Sequence, residues 1–189
     1  MRIGILGGTF NPVHLGHLLL AEGARETLEL DQILWIPARI PPHKEPPGQV
    51  SAEQRARMVE LAISDNPAFR LSRVELERPA PSYTIDTVHQ LRQQEISTVS
   101  DWFFLIGSDT AGELESWREI GQLKTLVQFV AIPRPGRPAT RVPEVRQIPV
   151  QTLDVSSSEV RQRIRENRSI RYWVPESVRL YIEEHRLYR

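Results

Sequence analysis

Two imidazoles three residues apart, His14 and His17, follow a glycine turn in the run Gly7-Gly8-Thr9-Phe10-Asn11-Pro12-Val13-His14-Leu15-Gly16-His17. Glycines at 7 and 8 admit positive φ and the close approach of a phosphate. A helix starting near His14 would aim unpaired N–H groups and its positive end at an anion. Helical pitch puts both histidines on one face. Neutral or protonated, imidazole donates hydrogen bonds to phosphate oxygens. A Gly-Gly turn alone reads as a plain strand-to-helix connection, because the Walker spacing with its lysine and the G-x-G-x-x-G fingerprint are both lacking. The histidine pair at its mouth favours the anion. Zinc is the rival ligand, but no third ligand stands nearby and no H-E-x-x-H pattern occurs, so no metal site on the protein is expected.

Other stretches carry candidate chemistry, each with a plainer reading beside it. Lys44 follows Pro41-Pro42-His43 and can reach a phosphate as a mobile point charge, or be a solvated loop lysine. Ser82-Tyr83-Thr84 precedes an amphipathic helix, where a hydroxyl caps the helix or the free N–H groups hold a carboxylate. Gly107-Ser108-Asp109 follows an apolar strand; Asp109 either accepts from a ribose hydroxyl or caps the next helix. Ser156-Ser157-Ser158 opens a helix with Arg161 one turn in, a hydroxyl-rich start with a guanidinium fork suited to phosphate, or an ordinary cap and a surface arginine. Arg134, after the strand 126–132, is a further cationic candidate. Trp35, Trp102 and Trp173 read as core, whereas charged residues surround Trp117.

The elements that must position these groups alternate along the chain. Strands are expected at 2–6, 33–37, 69–74, 102–106, 126–132 and 146–150, and helices at 14–29, 51–65, 84–94, 109–115, 117–123, 157–166 and 175–185. The continuous apolar runs Ile33-Leu34-Trp35-Ile36 and Trp102-Phe103-Phe104-Leu105-Ile106 suit strands covered on both faces. Ser51 with Gln54 fits a capping box, and Pro175 the first turn of the last helix. Alternation of this kind implies an α/β, doubly wound, mostly parallel sheet of Rossmann-like type, with ligands beyond the carboxyl ends of the strands. No internal repeat is visible. Proline-rich stretches at 37–48 and 133–143 read as stiffened surface loops. One domain over 1–189 is expected, with a helical portion at about 156–189.

Composition narrows the partners. Twenty-four basic and 24 acidic residues give zero net charge, which argues against a general nucleic-acid binder. The chain has no cysteine, which excludes disulfides, thiolate metal sites and thiol nucleophiles and fits a cytoplasmic protein. No apolar run approaches the ~20 residues of a membrane span. The basic stretch 161–171 reads as a solvated helix face or a homo-oligomer contact.

The opening run is similar to the signature of the nucleotidylyltransferase superfamily, in which a T/H-x-G-H element binds ATP. Pro41-Pro42-His43-Lys44, Ser82-Tyr83-Thr84-x-x-Thr87, Gly107-Ser108-Asp109, Trp117, Ser156-Ser157-Ser158-x-x-Arg161 and Val174-Pro175-x-x-Val178-x-x-Tyr181-Ile182 then appear in the order of the bacterial nicotinate-nucleotide adenylyltransferases, across nearly the whole chain. The resemblance implies a nucleotidylyltransferase fold and the reaction of ATP with nicotinate mononucleotide, giving nicotinate adenine dinucleotide and pyrophosphate in NAD biosynthesis. It implies ATP contacts from Gly7, Gly8, Thr9, Phe10, His14, His17, Gly107, Asp109, Arg134, Ser156, Ser157 and Arg161. It implies mononucleotide contacts from Lys44, Ser82, Tyr83, Thr84, Trp117 and Arg118, and catalytic roles for His17, His14, Lys44 and Arg161. Mg2+ would be carried mainly by ATP phosphates. Two positions depart from the family pattern. Asn11 replaces a common aspartate, which argues against a metal ligand or base there. Arg118 stands where many relatives carry a second aromatic; it attracts the nicotinate carboxylate, shields a stacked ring, or simply faces solvent. The competing functions are adenylyl transfer to nicotinamide mononucleotide or phosphopantetheine, and a nucleotide-binding module without catalysis.

Overall fold

The computed structural model of the chain describes residues 1–39, 50–79, 81–94, 101–133 and 142–189. Six parallel strands, β1 (Arg2–Gly8), β2 (Gln32–Pro37), β3 (Phe69–Leu71), β4 (Asp101–Gly107), β5 (Gln128–Ile132) and β6 (Arg146–Gln147), form one sheet in the order β3-β2-β1-β4-β5-β6. Helices α1 (Leu15–Thr27), α2 (Ala52–Ile63), α6 (Ser157–Arg165) and α7 (Glu176–Glu184) cover one face. Helices α3 (Thr84–Gln94), α4 (Ser108–Ala111) and α5 (Ile120–Leu126) belong to the other. No helix among the described residues is long and apolar enough to cross a membrane.

The strand sequences explain the two layers. Successive side chains leave a strand on opposite faces. Ile33 and Trp35 enter the core beneath α1 and α2, while Leu34 and Ile36 enter the core beneath α3. Phe103 and Leu105 divide from Trp102, Phe104 and Ile106 in the same way. The sheet is therefore wound on both sides, as the apolar runs predict. The chain builds outward from β1 to β3 and then restarts at β4 on the other side of β1. That reversal opens a crevice at the carboxyl ends of β1 and β4, where ligands of such sheets sit.

Element boundaries depart from expectation where local chemistry intervenes. The predicted strand 69–74 stops at Leu71, because a turn follows in which Leu76 N donates to the Arg73 carbonyl. The predicted strand 126–132 begins at Gln128, since α5 runs on to Leu126. The strand expected at 146–150 shrinks to two residues at the sheet edge, with Ile148 N still donating to the Ala131 carbonyl at 3.3 Å. The helices predicted at 109–115 and 117–123 become α4, a 3-10 turn (Leu114–Ser116) and α5. Trp117 is extended and Glu119 left-handed at φ 56°, so the helical path breaks at Trp117. His14 and Pro175 are N-cap residues rather than first-turn residues, and α1 ends before a left-handed Glu29. The Ser51–Gln54 capping box forms in both directions. Lys44 and Arg134, with most of both proline-rich loops, lie outside the described residues.

One buried charge ties α2 to the sheet's carboxyl edge. Arg55 is fully buried and donates to the carbonyls of Thr9 at 2.6 Å, Ala38 at 2.7 Å and Arg39 at 3.1 Å. Desolvation holds its guanidinium below the ordinary arginine pKa, opposed by the nearby Tyr188 phenol. Arg55→Met keeps most of the stem volume but leaves buried carbonyls without donors. We expect a loss of about 2–4 kcal/mol, read as a melting temperature lowered by roughly 5–15 °C in calorimetry.

Candidate active site

A single cleft of about 1520 Å³ opens over the carboxyl ends of β1 and β4. Pockets for one small ligand typically measure roughly 300–1,000 Å³, so this one has room for two. Its walls include the β1 turn (Gly7 to Phe10), His14, His17 and the start of α6, and also Ser82, Tyr83, Thr84, Trp117 and Arg118. Gly107 and Asp109 line it from the end of β4. Every expected site residue within the described residues thus borders one cavity.

The histidines form a stacked pair. His14, extended at φ −145°, is the N-cap of α1, and its N–H donates to Nδ1 of His17 at 3.2 Å. The rings stack with centroids 3.6 Å apart and planes 28° apart. An accepting Nδ1 puts the proton of a neutral His17 on Nε2, making that nitrogen a donor. Two glycines make the stack possible for steric reasons. A Cβ at Gly16 would stand 3.1 Å from Nδ1 of His14 and 3.2 Å from the Leu153 carbonyl. A Cβ at Gly8 would stand 2.9 Å from the Phe10 ring. Phe10 is left-handed at φ 47°, and its buried ring meets His17 edge-on at 5.2 Å. The helix start is less open than the sequence suggests, because the Leu15 N–H is taken by the Trp173 carbonyl at 3.0 Å.

The turn over 9–12 is gripped from behind. Besides Arg55 on Thr9, Arg161 Nη1 donates to the Asn11 carbonyl at 2.7 Å and Ser157 Oγ to the Pro12 carbonyl at 2.8 Å. The Tyr188 hydroxyl donates to Asn11 Oδ1 at 2.7 Å. The Asn11–Pro12 peptide is cis. Ser156 caps α6 by accepting from Glu159 N at 3.2 Å. The hydroxyl-rich helix start therefore already serves the fold: Ser156 as a cap, Ser157 and Arg161 as tethers of the turn. Burial lowers the Arg161 pKa; Tyr188 opposes this and Arg165 adds to it. Sequence reasoning missed Arg55 and Tyr188, whose partners lie 46 and 177 positions away.

A further part of the cleft wall is aromatic and cationic. Half-buried Trp117 stands edge-on to Phe104 at 5.8 Å and Phe129 at 6.0 Å. The Arg118 guanidinium lies 4.8 Å over the Tyr83 ring, with Nε 3.3 Å from Glu119. That contact anchors the guanidinium beside the Tyr83 ring, while more than half of the side chain stays exposed to solvent. Tyr83 is fixed in turn: its carbonyl accepts from Thr87 N at 3.2 Å and Arg78 Nη2 at 3.3 Å. Arg78 also donates to Thr87 Oγ1 at 3.0 Å, and that hydroxyl donates to Glu75 at 2.8 Å. Burial pushes the Glu75 carboxyl up, against the pull of Thr87 and Arg78. Glu75 and Arg78 were not singled out from the sequence; the Thr87 of the S-Y-T-x-x-T motif was the available pointer. Gly107, not Asp109, takes the N-cap position of α4, so the capping reading of Asp109 falls. Trp35 and Trp102 are core residues as expected, and Trp173 packs at the core's edge beneath Arg163.

Known proteins are similar to this chain in sequence and in fold. Residues 5–163 match the cytidylyltransferase-like family model. A protein of Thermus thermophilus named "probable nicotinate-nucleotide adenylyltransferase" is 45% identical over 190 residues, covering 100% of both chains. One of the same name from Geobacillus thermodenitrificans is 44% identical over 187 residues, covering 99% of this chain and 86% of its own. In fold, the chain is similar to the Plasmodium falciparum nicotinic acid mononucleotide adenylyltransferase complexed with NaAD, with a TM-score of 0.80 at 20% identity over 99% and 97% of the two chains. The same Plasmodium falciparum enzyme complexed with APC gives a TM-score of 0.78 at 19% identity, over 99% of this chain and 96% of that one. With a family model matched over most of its length and relatives aligned along all of it, this chain belongs to the cytidylyltransferase-like family and, within it, to the nicotinate-nucleotide adenylyltransferases.

Proposed function

We propose that the chain transfers the adenylyl group of ATP to nicotinate mononucleotide, forming nicotinate adenine dinucleotide and pyrophosphate. The observation that carries this reading is the single cleft, whose wall brings together stacked imidazoles beside a guanidinium-backed turn and a tryptophan, tyrosine and arginine. Full-length identity to relatives bearing that name supports it. An oxygen of the mononucleotide phosphate attacks the α-phosphorus, the bond to the β-phosphate oxygen breaks, and pyrophosphate leaves. The attacking oxygen is already ionised at neutral pH, so no general base is needed. Catalysis is then positioning and charge neutralisation.

The roles follow these two parts of the cleft wall. His17 donates from Nε2 to the phosphoryl oxygens in the transition state, and His14 stacks on it and shares that duty. Gly7, Gly8, Thr9 and Phe10 shape the wall for the α-phosphate and adenosine, with Gly107, Asp109 and Arg134 on the nucleoside. Arg161, Ser156, Ser157 and Lys44 steady the leaving pyrophosphate or the incoming phosphate. Ser82, Tyr83 and Thr84 at the start of α3 face the nicotinate carboxylate, Trp117 stacks on the pyridine ring, and Arg118 supplies the charge that favours an acid over an amide. A magnesium ion would be held chiefly by nucleotide oxygens. When bound, it would neutralise phosphate charge. Such a protein works in the cytoplasm on two small molecules, without nucleic acid or membrane; a homo-oligomer remains compatible with the basic stretch 161–171.

Pyrophosphate release from ATP and magnesium, measured with nicotinate and nicotinamide mononucleotides in parallel, tests the reading; equal or greater activity with the amide would reassign the acceptor. His17→Ala is expected to lower kcat by about 10²–10³ with an unchanged circular dichroism spectrum, and near-normal turnover would remove His17 from its role. Arg118→Ala is expected to raise KM for nicotinate mononucleotide about tenfold, leaving KM for ATP alone. An unchanged KM in steady-state assays would return Arg118 to a surface role.

A further inference from the structure

Tyr188 lies in the segment after α7, which turns back on itself through left-handed residues at Arg186 (φ 51°) and Tyr188 (φ 67°). A tyrosine in that conformation is held by its surroundings rather than by preference. Its ring is buried, the preceding Leu187 donates to the Ile182 carbonyl at 3.0 Å, and its hydroxyl ends on Asn11 Oδ1 at 2.7 Å. Tyr188 also borders the cleft. Both Arg161 and Arg55 act electrostatically on the phenol, yet desolvation dominates and pushes its pKa up. The hydroxyl therefore keeps its proton at neutral pH and donates it to Asn11 Oδ1.

Resting on the adenylyl-transfer reading above, we propose that Tyr188 is a positioning residue for the reaction: its hydroxyl holds the Asn11 side chain and thereby sets Phe10 and His17. The path is short. Three of the four tethers on the turn grip backbone carbonyls, at Thr9, Asn11 and Pro12. Tyr188 alone among these tethers grips a side chain, and with Arg161 it holds Asn11 from two sides. Asn11 follows Phe10, whose left-handed backbone delivers its ring to the edge of His17. If the Asn11 side chain rotates, the turn loses one of its four tethers, the left-handed backbone of Phe10 is less firmly held, and its ring can shift against His17. Misplacing a phosphate donor by about 1 Å costs up to ~10² in rate, whereas the acceptor part of the wall is built on α3 and the segment around Trp117 and is untouched.

Tyr188→Phe removes only the hydroxyl, and Asn11→Ala breaks the same bond from the other side, so either variant alone reads the contact if its companion folds poorly. For each, kcat is expected to fall about tenfold or more with KM for nicotinate mononucleotide within about twofold, and the double variant is expected to fall no further than the singles. In the nucleotide-free protein, the His17 imidazole NMR resonances are expected to shift in Tyr188→Phe while the Trp117 indole resonance stays. Unchanged kcat, multiplying effects in the double variant, or a static His17 signal would overturn the proposal. A wild-type protein that releases no pyrophosphate with either mononucleotide would overturn the adenylyl-transfer reading instead, and the His17 signal would still report on the contact.

Discussion

The carbonyl oxygens of the turn after β1 point into the protein, and the packing around the paired histidines depends on what receives them. Thr9 is received by Arg55 from α2, Asn11 by Arg161 and Pro12 by Ser157, both from α6. A trans peptide is planar and its C=O and N–H point in opposite directions, so holding the Thr9 carbonyl turns the Phe10 N–H away from Arg55. A glycine-rich turn left to itself samples many such orientations. Here, helices far apart in sequence choose one.

This arrangement concentrates positive charge behind a site that would receive highly negative phosphates. Arg55 and Arg161 both have their pKa values lowered by burial, yet arginine stays charged at any physiological pH. Neutral carbonyl dipoles, not carboxylates, are their recorded hydrogen-bond partners in the turn. Their charge is therefore solvated but not cancelled, and it continues to act across the low-dielectric interior. Asn11 suits such a place, because an aspartate would offset part of that field beside the nucleotide. The glycines at 8 and 16 belong to the same economy of space: they let Phe10, His14 and His17 pack ring against ring.

Much of this was legible in the sequence, and the reason is locality. Strand periodicity, the Ser51–Gln54 box and the paired histidines are each written within a few residues, and the doubly wound sheet follows from them. Side-chain tethers across long separations are not written that way: nothing near Arg55 or Tyr188 distinguishes a core-directed arginine or tyrosine from a surface one. Arg161 and Ser157 were visible as polar groups at a helix start, but their partners in the turn were not. The region around Trp117 was misread because apolar spacing there resembles two helices, whereas the left-handed Glu119 breaks the path and leaves Trp117 extended.

The two parts of the cleft wall are built by different physics, and the proposed chemistry explains why. Displacement at phosphorus by an ionised oxygen needs no proton transfer, so donors must be in place before the substrates meet, with little reorganisation at the moment of reaction. Buried tethers suit that demand: Tyr188, Ser157, Arg161 and Arg55 fix the turn behind the histidines. Discrimination between an acid and an amide needs something else, a charge that meets the substrate's own rim. Arg118 is more than half exposed, anchored by the Tyr83 ring and by Glu119 rather than enclosed. A buried guanidinium there would carry a desolvation cost whether or not substrate arrived; at the rim it stays hydrated, and in the proposed reaction its attraction would strengthen only once the substrate displaced that water.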